Sequence, residues 1–268
     1  MTSEKTKVHF TDNYLINPTN PVTINLIGAG GTGSKVLTAL MEMNHSLIQL
    51  GHAGLFVRLW DDDLITEANL GRQRFAESET GLYKSVALIN RANRWMGTNW
   101  KAETQKFKLS ESEKFSENIT ANIYISCVDS VKSRFEIADI LKRLNTGRYY
   151  ANRLLYSLDF GNSKRTGQVI LATIGTIRQP NSEKYETVDH LPSITDEFGD
   201  LLKQSEESDD TPSCSLAEAL EKQDLFINST LAQMGSSLLW NLFRNGLTKN
   251  RGFFLNLKNF HSQPIKIT

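Results

Sequence analysis

The stretch VTINLIGAGGTGS, residues 22–34, decides the fold of this chain. Its first six residues form an apolar, β-rich run, a glycine-rich loop follows, and residues 34–50 have apolar positions at helical spacing. Glycines let a backbone approach a phosphate closely, and a helix N-terminus offers free N–H groups with a partial positive charge. This order predicts a nucleotide phosphate site without choosing between NAD, FAD and ATP. The candidate glycines are Gly28, Gly30, Gly31 and Gly33.

Strand-like and helix-like segments continue to alternate after this loop. The runs LFVRLW at 55–60 and IYISCV at 123–128 are typical of strands, and helical spacing recurs at 82–96 and 134–144. Alternation of this kind predicts an α/β fold with a Rossmann-like, doubly wound, mostly parallel sheet and helices on both faces. Ligands of such sheets bind at the carboxyl ends of the strands.

The second half of the chain has a different character. Residues 156–160 and 168–174 predict antiparallel strands that extend the sheet, and the acidic stretch 196–210 is interpreted as a solvated, mobile loop. We therefore expect one domain over 1–268. Its expected parts are a nucleotide-binding half at 22–147, a crossover or lid loop at 178–214, and a C-terminal helix and hairpin at 215–268.

The composition narrows the range of partners. The chain has 268 residues with 30 basic and 30 acidic side chains, so there is no strong electrostatic reason to expect nucleic acid or an anionic membrane as a partner. It contains no apolar run of about 18 residues and no apolar signal-peptide region, which favours a cytoplasmic protein. The two cysteines are too few for a four-ligand zinc site, so we expect no zinc.

Acidic side chains follow two of the predicted strands. Asp61 and Asp63 come directly after the strand at 55–60, where a carboxylate can accept hydrogen bonds from a ribose hydroxyl. Together with the glycine loop, these residues alone would favour a nicotinamide oxidoreductase. Asp129 follows the strand at 123–128, and a single carboxylate there suits Mg²⁺ that is held jointly with phosphate oxygens.

A group of amides and cations lies between these carboxylates in the sequence and argues against the oxidoreductase. A triphosphate needs cations that stay with the charge as pyrophosphate leaves, whereas a dinucleotide needs few of them. The simpler alternative is that the cations pair with surface acids. The residues of this group are Asn69, Arg72, Gln73 and Lys84.

Taken together, GAGGTGS, DDD, NLGRQ, GLYK and SCVDS resemble, in order and spacing, the ThiF/MoeB/E1 superfamily of adenylating enzymes, which activate the C-terminal carboxylate of ubiquitin-like proteins. The later segment PSCSLAEALEKQDLFINSTLAQMGSSLLWNLF resembles the ThiF-like member of bacterial PRTRC gene systems. Two features depart from the family pattern. Residues 1–23 contain no arginine that could reach the ATP of a partner subunit, and the paired CxxC motifs that bind zinc in many relatives are missing.

The resemblance implies an ATP- and Mg²⁺-dependent adenylyltransferase that forms an acyl-adenylate on a small β-grasp, ubiquitin-like protein, and it implies a homodimer. By position, the four glycines would surround the phosphates, Asp61 and Asp63 would hold the ribose, and Asp129 would hold Mg²⁺. The set Asn69, Arg72, Gln73 and Lys84 would contact the triphosphate. Cys214, just before a predicted helix, is the candidate for a thioester with the acyl group, whereas Cys127 is expected in the core.

Three alternatives remain open from the sequence. The first keeps the superfamily and changes the substrate to a carboxylate on a modified tRNA or a small molecule. The second is the NAD-dependent oxidoreductase that the glycine loop permits. The third is a non-catalytic, E1-like module that binds a partner, and its support is the missing N-terminal arginine.

Overall fold

The computed structural model describes residues 5–109, 119–146, 153–205 and 223–268. In this part of the chain, two sheets are formed by the following strands: β1 (Thr6–Phe10), β2 (Val22–Ile27), β3 (Leu55–Trp60), β4 (Lys101–Glu103), β5 (Ile123–Ser126), β6 (Tyr156–Asn162), β7 (Thr166–Thr173), β8 (Tyr185–Thr187), β9 (Leu247–Thr248), β10 (Asn250–Asn256) and β11 (His261–Lys266).

The α-helices of the described residues flank these sheets. None of them has the length and the apolar character needed to cross a membrane. They are α1 (Asn13–Ile16), α2 (Gly33–Gln49), α3 (Lys84–Met96), α4 (Val131–Thr146), α5 (Ile194–Glu197), α6 (Gly199–Ser205) and α7 (Ile227–Asn245).

The large sheet has eight strands in the order β11-β10-β7-β6-β5-β2-β3-β4. The five strands from β4 to β6 pair in parallel, and β6, β7, β10 and β11 pair antiparallel. This confirms the predicted Rossmann-like sheet with its antiparallel extension. Because β3 and β5 lie on opposite sides of β2, the chain reverses its direction of winding there, and a crevice opens at the carboxyl ends of these strands.

Burial of β2 on both faces explains why its sequence is an almost continuous apolar run. Ile24 and Leu26 are fully buried, as expected for a parallel strand covered on both faces. Helices α2 and α7 pack against each other, and Leu40 and Leu231 belong to one apolar cluster. Helix α7 is thereby packed against the helix that follows the glycine loop.

The N-terminal segment contributes to a second sheet that the sequence analysis did not predict. Strand β1 pairs in parallel with β8 and antiparallel with β9, forming a separate three-stranded sheet. Val8 and His9 are fully buried in this sheet. Its strands are two to five residues long, too short for a hydrophobic pattern to identify.

The acidic segment also differs from the predicted loop. Residues 199–205 are helical, and Ile194 and Leu202 are buried in a small apolar cluster that holds α5 and α6 in place. The carboxylate of Asp196 forms an ion pair with Lys142 of α4 at 2.8 Å. The remainder of the predicted lid, including Cys214, lies outside the described residues.

Candidate functional site

A cleft of about 660 Å³ lies where the winding of the sheet reverses. It is bounded by the loops after β2, β3 and β5 and by the first turn of α7. The sequence-predicted residues that line it are Gly28, Gly30, Gly31, Asp61, Asp63, Arg72, Gln73, Lys84 and Asp129.

The glycine loop at the base of the cleft has little room for side chains on its protein side. Gly28 has a φ of 95°, and a Cβ there would lie 2.8 Å from the carbonyl oxygen of Cys127. A Cβ on Gly33 would collide with the carbonyl oxygen of Gly28. Gly30 is different, because a Cβ on it would meet no protein atom within 4 Å. The open face of the loop at Gly30 therefore points into the cleft and leaves its backbone accessible to a ligand.

Asp61 connects the end of β3 to the glycine loop. Its Oδ2 accepts a hydrogen bond from the backbone N–H of Ala29 at 2.6 Å, and its Oδ1 accepts one from the N–H of Asp63 at 3.0 Å. Burial raises the pKa of the Asp61 carboxyl, while the hydrogen bond from Ala29 acts in the opposite direction. Since each carboxylate oxygen has two lone pairs, Asp61 retains the capacity to accept further hydrogen bonds from a ligand.

Asp63 and Lys84 form an ion pair across the cleft wall. The Nζ of Lys84 donates to Oδ2 of Asp63 at 2.7 Å; the lysine side chain is 9% exposed and the aspartate side chain 66%. Lys84 is the first residue of α3, so the helix fixes the position of its backbone at the cleft wall. Two predicted site residues thus neutralise each other in this structure.

Arg72 reaches the cleft and is held by an uncharged partner. Its Nη1 donates to Oε1 of Gln223 at 2.8 Å, and its buried Nε has no hydrogen-bond partner among the described residues. Burial lowers the pKa of the Arg72 guanidinium, which still remains charged. The neighbouring Gln73 is buried, and its Oε1 also lacks a partner within the described part of the chain. The unpaired Nε–H of Arg72 is a donor beside the glycine loop and fits a phosphate ligand, whereas Oε1 of Gln73 is an acceptor and fits a donor instead.

Asn69 is not among the residues that line the cleft. Its Oδ1 accepts from the N–H of Thr66 at 2.9 Å and from the Thr66 hydroxyl at 3.2 Å, which caps a short 3-10 helix, Glu67–Asn69. Gly33 is likewise buried behind the loop.

Asp129 lies at the exposed rim of the cleft after β5. The described residues contain no cluster of three or more His, Cys, Asp or Glu side chains that could hold a metal on their own. Mg²⁺ does not need such a cluster, because it is usually bound by one or two carboxylates together with phosphates and water. The chemistry of a lone Asp129 beside the glycine loop fits that mode.

Cys127 lies closer to the cleft than the predicted core position implies. It is half-buried, packs against the main core and lines the cleft beside the glycine loop. Burial raises the pKa of its thiol well above the usual value, so the thiolate form is disfavoured.

The sequence analysis missed a network of amide side chains that joins the glycine loop to α7. Oδ1 of Asn228 accepts from the Thr32 hydroxyl at 2.8 Å and from Nδ2 of Asn162 at 2.9 Å. Its Nδ2 donates to Oε1 of Gln223 at 2.9 Å, the oxygen that also holds Arg72. No local motif identifies these amides, because they are up to 196 residues apart in the sequence. Lys35, behind the loop, was missed as well.

Comparison with protein families gives one match over most of the chain. The matching description is the ThiF family, and it covers residues 19–267. No curated protein matches this chain.

Solved structures with the same fold support this match. PaaA is 14% identical with a TM-score of 0.57, and the alignment covers 92% of this chain and 64% of PaaA. E. coli MccB with succinimide is 16% identical with a TM-score of 0.54, over 92% of this chain and 64% of MccB. E. coli MccB with ATP is 15% identical with a TM-score of 0.51, over 94% and 64%. At these identities the likeness shows the fold. The chain spans just under two thirds of the length of these proteins.

Proposed function

This chain belongs to the ThiF family, and we propose on that basis that it is an ATP- and Mg²⁺-dependent, E1-like adenylyltransferase. The observation that carries the proposal is one cleft that combines a bare glycine loop with two carboxylates, two cations and a rim carboxylate: Asp61, Asp63, Arg72, Lys84 and Asp129. The structural neighbour MccB was crystallised with ATP and with AMPCPP, which supports ATP as the nucleotide.

The proposed roles follow from where each side chain lies. The backbone at Gly30 would receive phosphate oxygens, because no side chain covers the loop there. Gly31 also lines the cleft, with the Asn228 side chain packed against it, and would approach the phosphates from beside that amide. Arg72 would use its unpaired Nε, and Lys84 would exchange Asp63 for phosphate. Asp63, released from that pair, and Asp61 would accept hydrogen bonds from the ribose. Gln73 would contact the triphosphate from the cleft wall. Asn69, which does not line the cleft, would contribute indirectly by holding the turn at Thr66 that precedes Arg72.

The proposed reaction is an in-line displacement at the α-phosphorus of ATP. A carboxylate oxygen of the substrate forms a bond to this phosphorus, the bond to the bridging oxygen breaks, and pyrophosphate leaves with the electron pair. The attacking carboxylate is already ionised, so no general base is required, and positioning with charge neutralisation provides the catalysis. Mg²⁺ bound at Asp129 would supply neutralisation of phosphate charge.

The substrate of the proposed reaction is the C-terminal carboxylate of a small, ubiquitin-like β-grasp protein, and the enzyme is proposed to act as a cytoplasmic homodimer within a bacterial PRTRC system. The motifs GAGGTGS, NLGRQ and SCVDS support this substrate class through their resemblance to the superfamily. MccB, a microcin C7 biosynthetic enzyme, was crystallised with N-formylated MccA.

Thioester formation at Cys214 is the proposed second step. The Cys214 thiolate would attack the acyl carbon of the adenylate, a carbon–sulfur bond would form, and AMP would leave with the electron pair, while the thiol proton passes to solvent. A Cys214→Ala variant, which has no nucleophilic atom at this position, should keep ATP–pyrophosphate exchange and lose any acyl adduct that hydroxylamine or thiols release. An adduct of unchanged yield in this variant would exclude Cys214 as the acceptor.

The proposed function is tested first by thermal unfolding with MgATP, with ATP plus EDTA, and with NAD. A ligand at about 100 times its Kd adds about 2.7 kcal/mol to the free energy of unfolding, which raises Tm by several degrees in a chain of this size. We expect a shift with MgATP that EDTA reduces. A shift with NAD alone would favour an oxidoreductase, and no shift with either nucleotide would favour a non-catalytic module.

ATP–pyrophosphate exchange with candidate β-grasp proteins then tests the chemistry. Arg72→Met and Asp129→Ala should abolish exchange while the protein remains folded. Lys249→Met serves as the control, because Lys249 is exposed, lies between β9 and β10 and does not line the cleft. Full exchange activity in both cleft variants would refute the mechanism.

A further inference from the structure

Lys35 joins two loops that border the cleft. It lies in the first turn of α2 and is only 8% exposed. Its ammonium donates hydrogen bonds to the carbonyl oxygen of Gly31 at 3.2 Å and to that of Arg72 at 2.8 Å. One side chain therefore connects the glycine loop to the backbone of the arginine that enters the cleft.

The Lys35 ammonium has no acidic partner within the described residues. None of the salt bridges there includes it. The charged groups that act on it are Arg72 and Arg74, both cations from the segment between β3 and α3. The glycine loop contributes no titratable side chain. Burial, together with these two arginines, lowers the pKa of Lys35 to about 8.

We propose that Lys35 is a positioning residue for the nucleotide phosphates: it fixes the glycine loop against Arg72, and bound phosphate supplies its missing counter-charge. This inference rests on the proposed function, since it assumes that a triphosphate binds at the loop. A buried cation that hydrogen-bonds only to neutral carbonyls is costly to maintain. A polyanion bound on the other side of the same loop stabilises that cation, and the cation in return strengthens binding of the polyanion.

This coupling has a pH signature that a structural lysine would lack. A bound triphosphate favours the ammonium form, so it raises the pKa of Lys35 above the value of about 8 in the free protein. Above that pH, each binding event takes up a proton, and the affinity for MgATP falls by up to about tenfold per pH unit. The phosphates of ATP do not cause this fall, because a terminal phosphate with a second pKa of about 6 is already ionised there.

The experiment measures the affinity for MgATP by calorimetry from pH 7 to 9.5, in buffers of different ionisation enthalpy. Wild type should lose affinity above pH 8 and take up protons. Lys35→Met should bind about tenfold or more weakly at pH 7, with a level pH profile. Lys35→Arg, which stays charged, should bind well with a level profile. The control Lys249→Met should behave like wild type.

The outcomes separate this inference from the function on which it rests. If wild type binds MgATP with an affinity that does not change up to pH 9.5, the role of Lys35 is refuted and the proposed function stands. A fall in MgATP affinity at high pH that persists in Lys35→Arg would also refute the role of Lys35, because another group would then be titrating. Absence of MgATP binding to wild type at every pH refutes the proposed function itself. If Lys35→Met does not fold, wild type and Lys35→Arg still decide the question.

Discussion

Replacing Gly30 by alanine adds one methyl group at the point where the glycine loop faces the cleft. No protein atom lies within 4 Å of that methyl position, and Gly30 is not among the glycines with positive φ. The folded state should therefore accept alanine without strain. Because alanine restricts the unfolded chain, the change should stabilise the protein by about 0.4–1 kcal/mol. That corresponds to a rise in Tm of about 1–4 °C.

The same methyl group should weaken nucleotide binding. It occupies the space through which, under the proposed function, a phosphate oxygen would approach the backbone N–H groups of the loop. One hydrogen bond to a charged group contributes about 1.5–3 kcal/mol, so the loss of one such bond weakens the affinity for MgATP by roughly 10- to 150-fold. Gly30→Ala is thus expected to separate stability from binding, with Tm unchanged or higher and affinity much lower.

Gly33→Ala is the matched comparison. Its methyl group would collide with the carbonyl oxygen of Gly28, which is backbone and cannot rotate away. Overpacking of this kind costs about 1–3 kcal/mol, so Tm should fall by several degrees. Calorimetric unfolding and titration with MgATP measure both effects. If Gly30→Ala binds MgATP as tightly as wild type, the assignment of the loop as a phosphate site is refuted.

Three further predictions concern single side chains. Arg72→Met should weaken MgATP binding about tenfold or more by titration calorimetry, since a charge-assisted contact is lost, whereas the exposed Arg74→Met should stay within about twofold. Asp61→Asn should lower Tm by about 4–8 °C in a thermal melt, because an amide cannot accept both backbone N–H bonds and about 2 kcal/mol is lost; an unchanged Tm would contradict this. Burial lowers the pKa of His9 in the folded state. As the pH falls, the unfolded state therefore takes up the proton at a higher pH than the folded state, and the free energy of unfolding should decrease below about pH 6.5. The Tm of His9→Gln should depend less on pH in this range.

The central part of the fold could be predicted because its signals are local. The bounds of β2 and β3 are those of two apolar runs at 22–27 and 55–60, and the loop between strand and helix contains the glycines that this turn requires. Buried parallel strands give continuous apolar runs that sequence inspection recognises. The order of the motifs then placed the cleft at the carboxyl ends of these strands.

Features that depend on distant partners could not be predicted. Strand β1 is stabilised by β8, about 180 residues away, so its own pattern carries little information. The hydrogen bonds of Asn228 to Thr32 and Asn162 arise only when α7 packs on α2. The role of Lys35 could not be predicted for the same reason, because its hydrogen bond to the Arg72 carbonyl spans 37 residues. In each case the sequence contains an ordinary polar residue, and the fold decides its environment.

Because Lys84 and Asp63 form an ion pair, removing the Asp63 charge should affect the binding of tripolyphosphate and of ATP differently. This difference tests the site as a whole. Under the proposed function, tripolyphosphate takes Lys84 from Asp63, which is then left without a partner beside a polyanion. ATP offers the ribose hydroxyls to the displaced Asp63, so an intact nucleotide provides partners for both side chains. Asp63→Asn should therefore strengthen the binding of tripolyphosphate, because Lys84 is released and a like charge is removed, and should reduce the preference for ATP over tripolyphosphate. Titration calorimetry with the two ligands measures this directly. A variant that weakens both ligands equally would mean that Asp63 only orients Lys84, and the ribose would then have to be assigned to Asp61 alone.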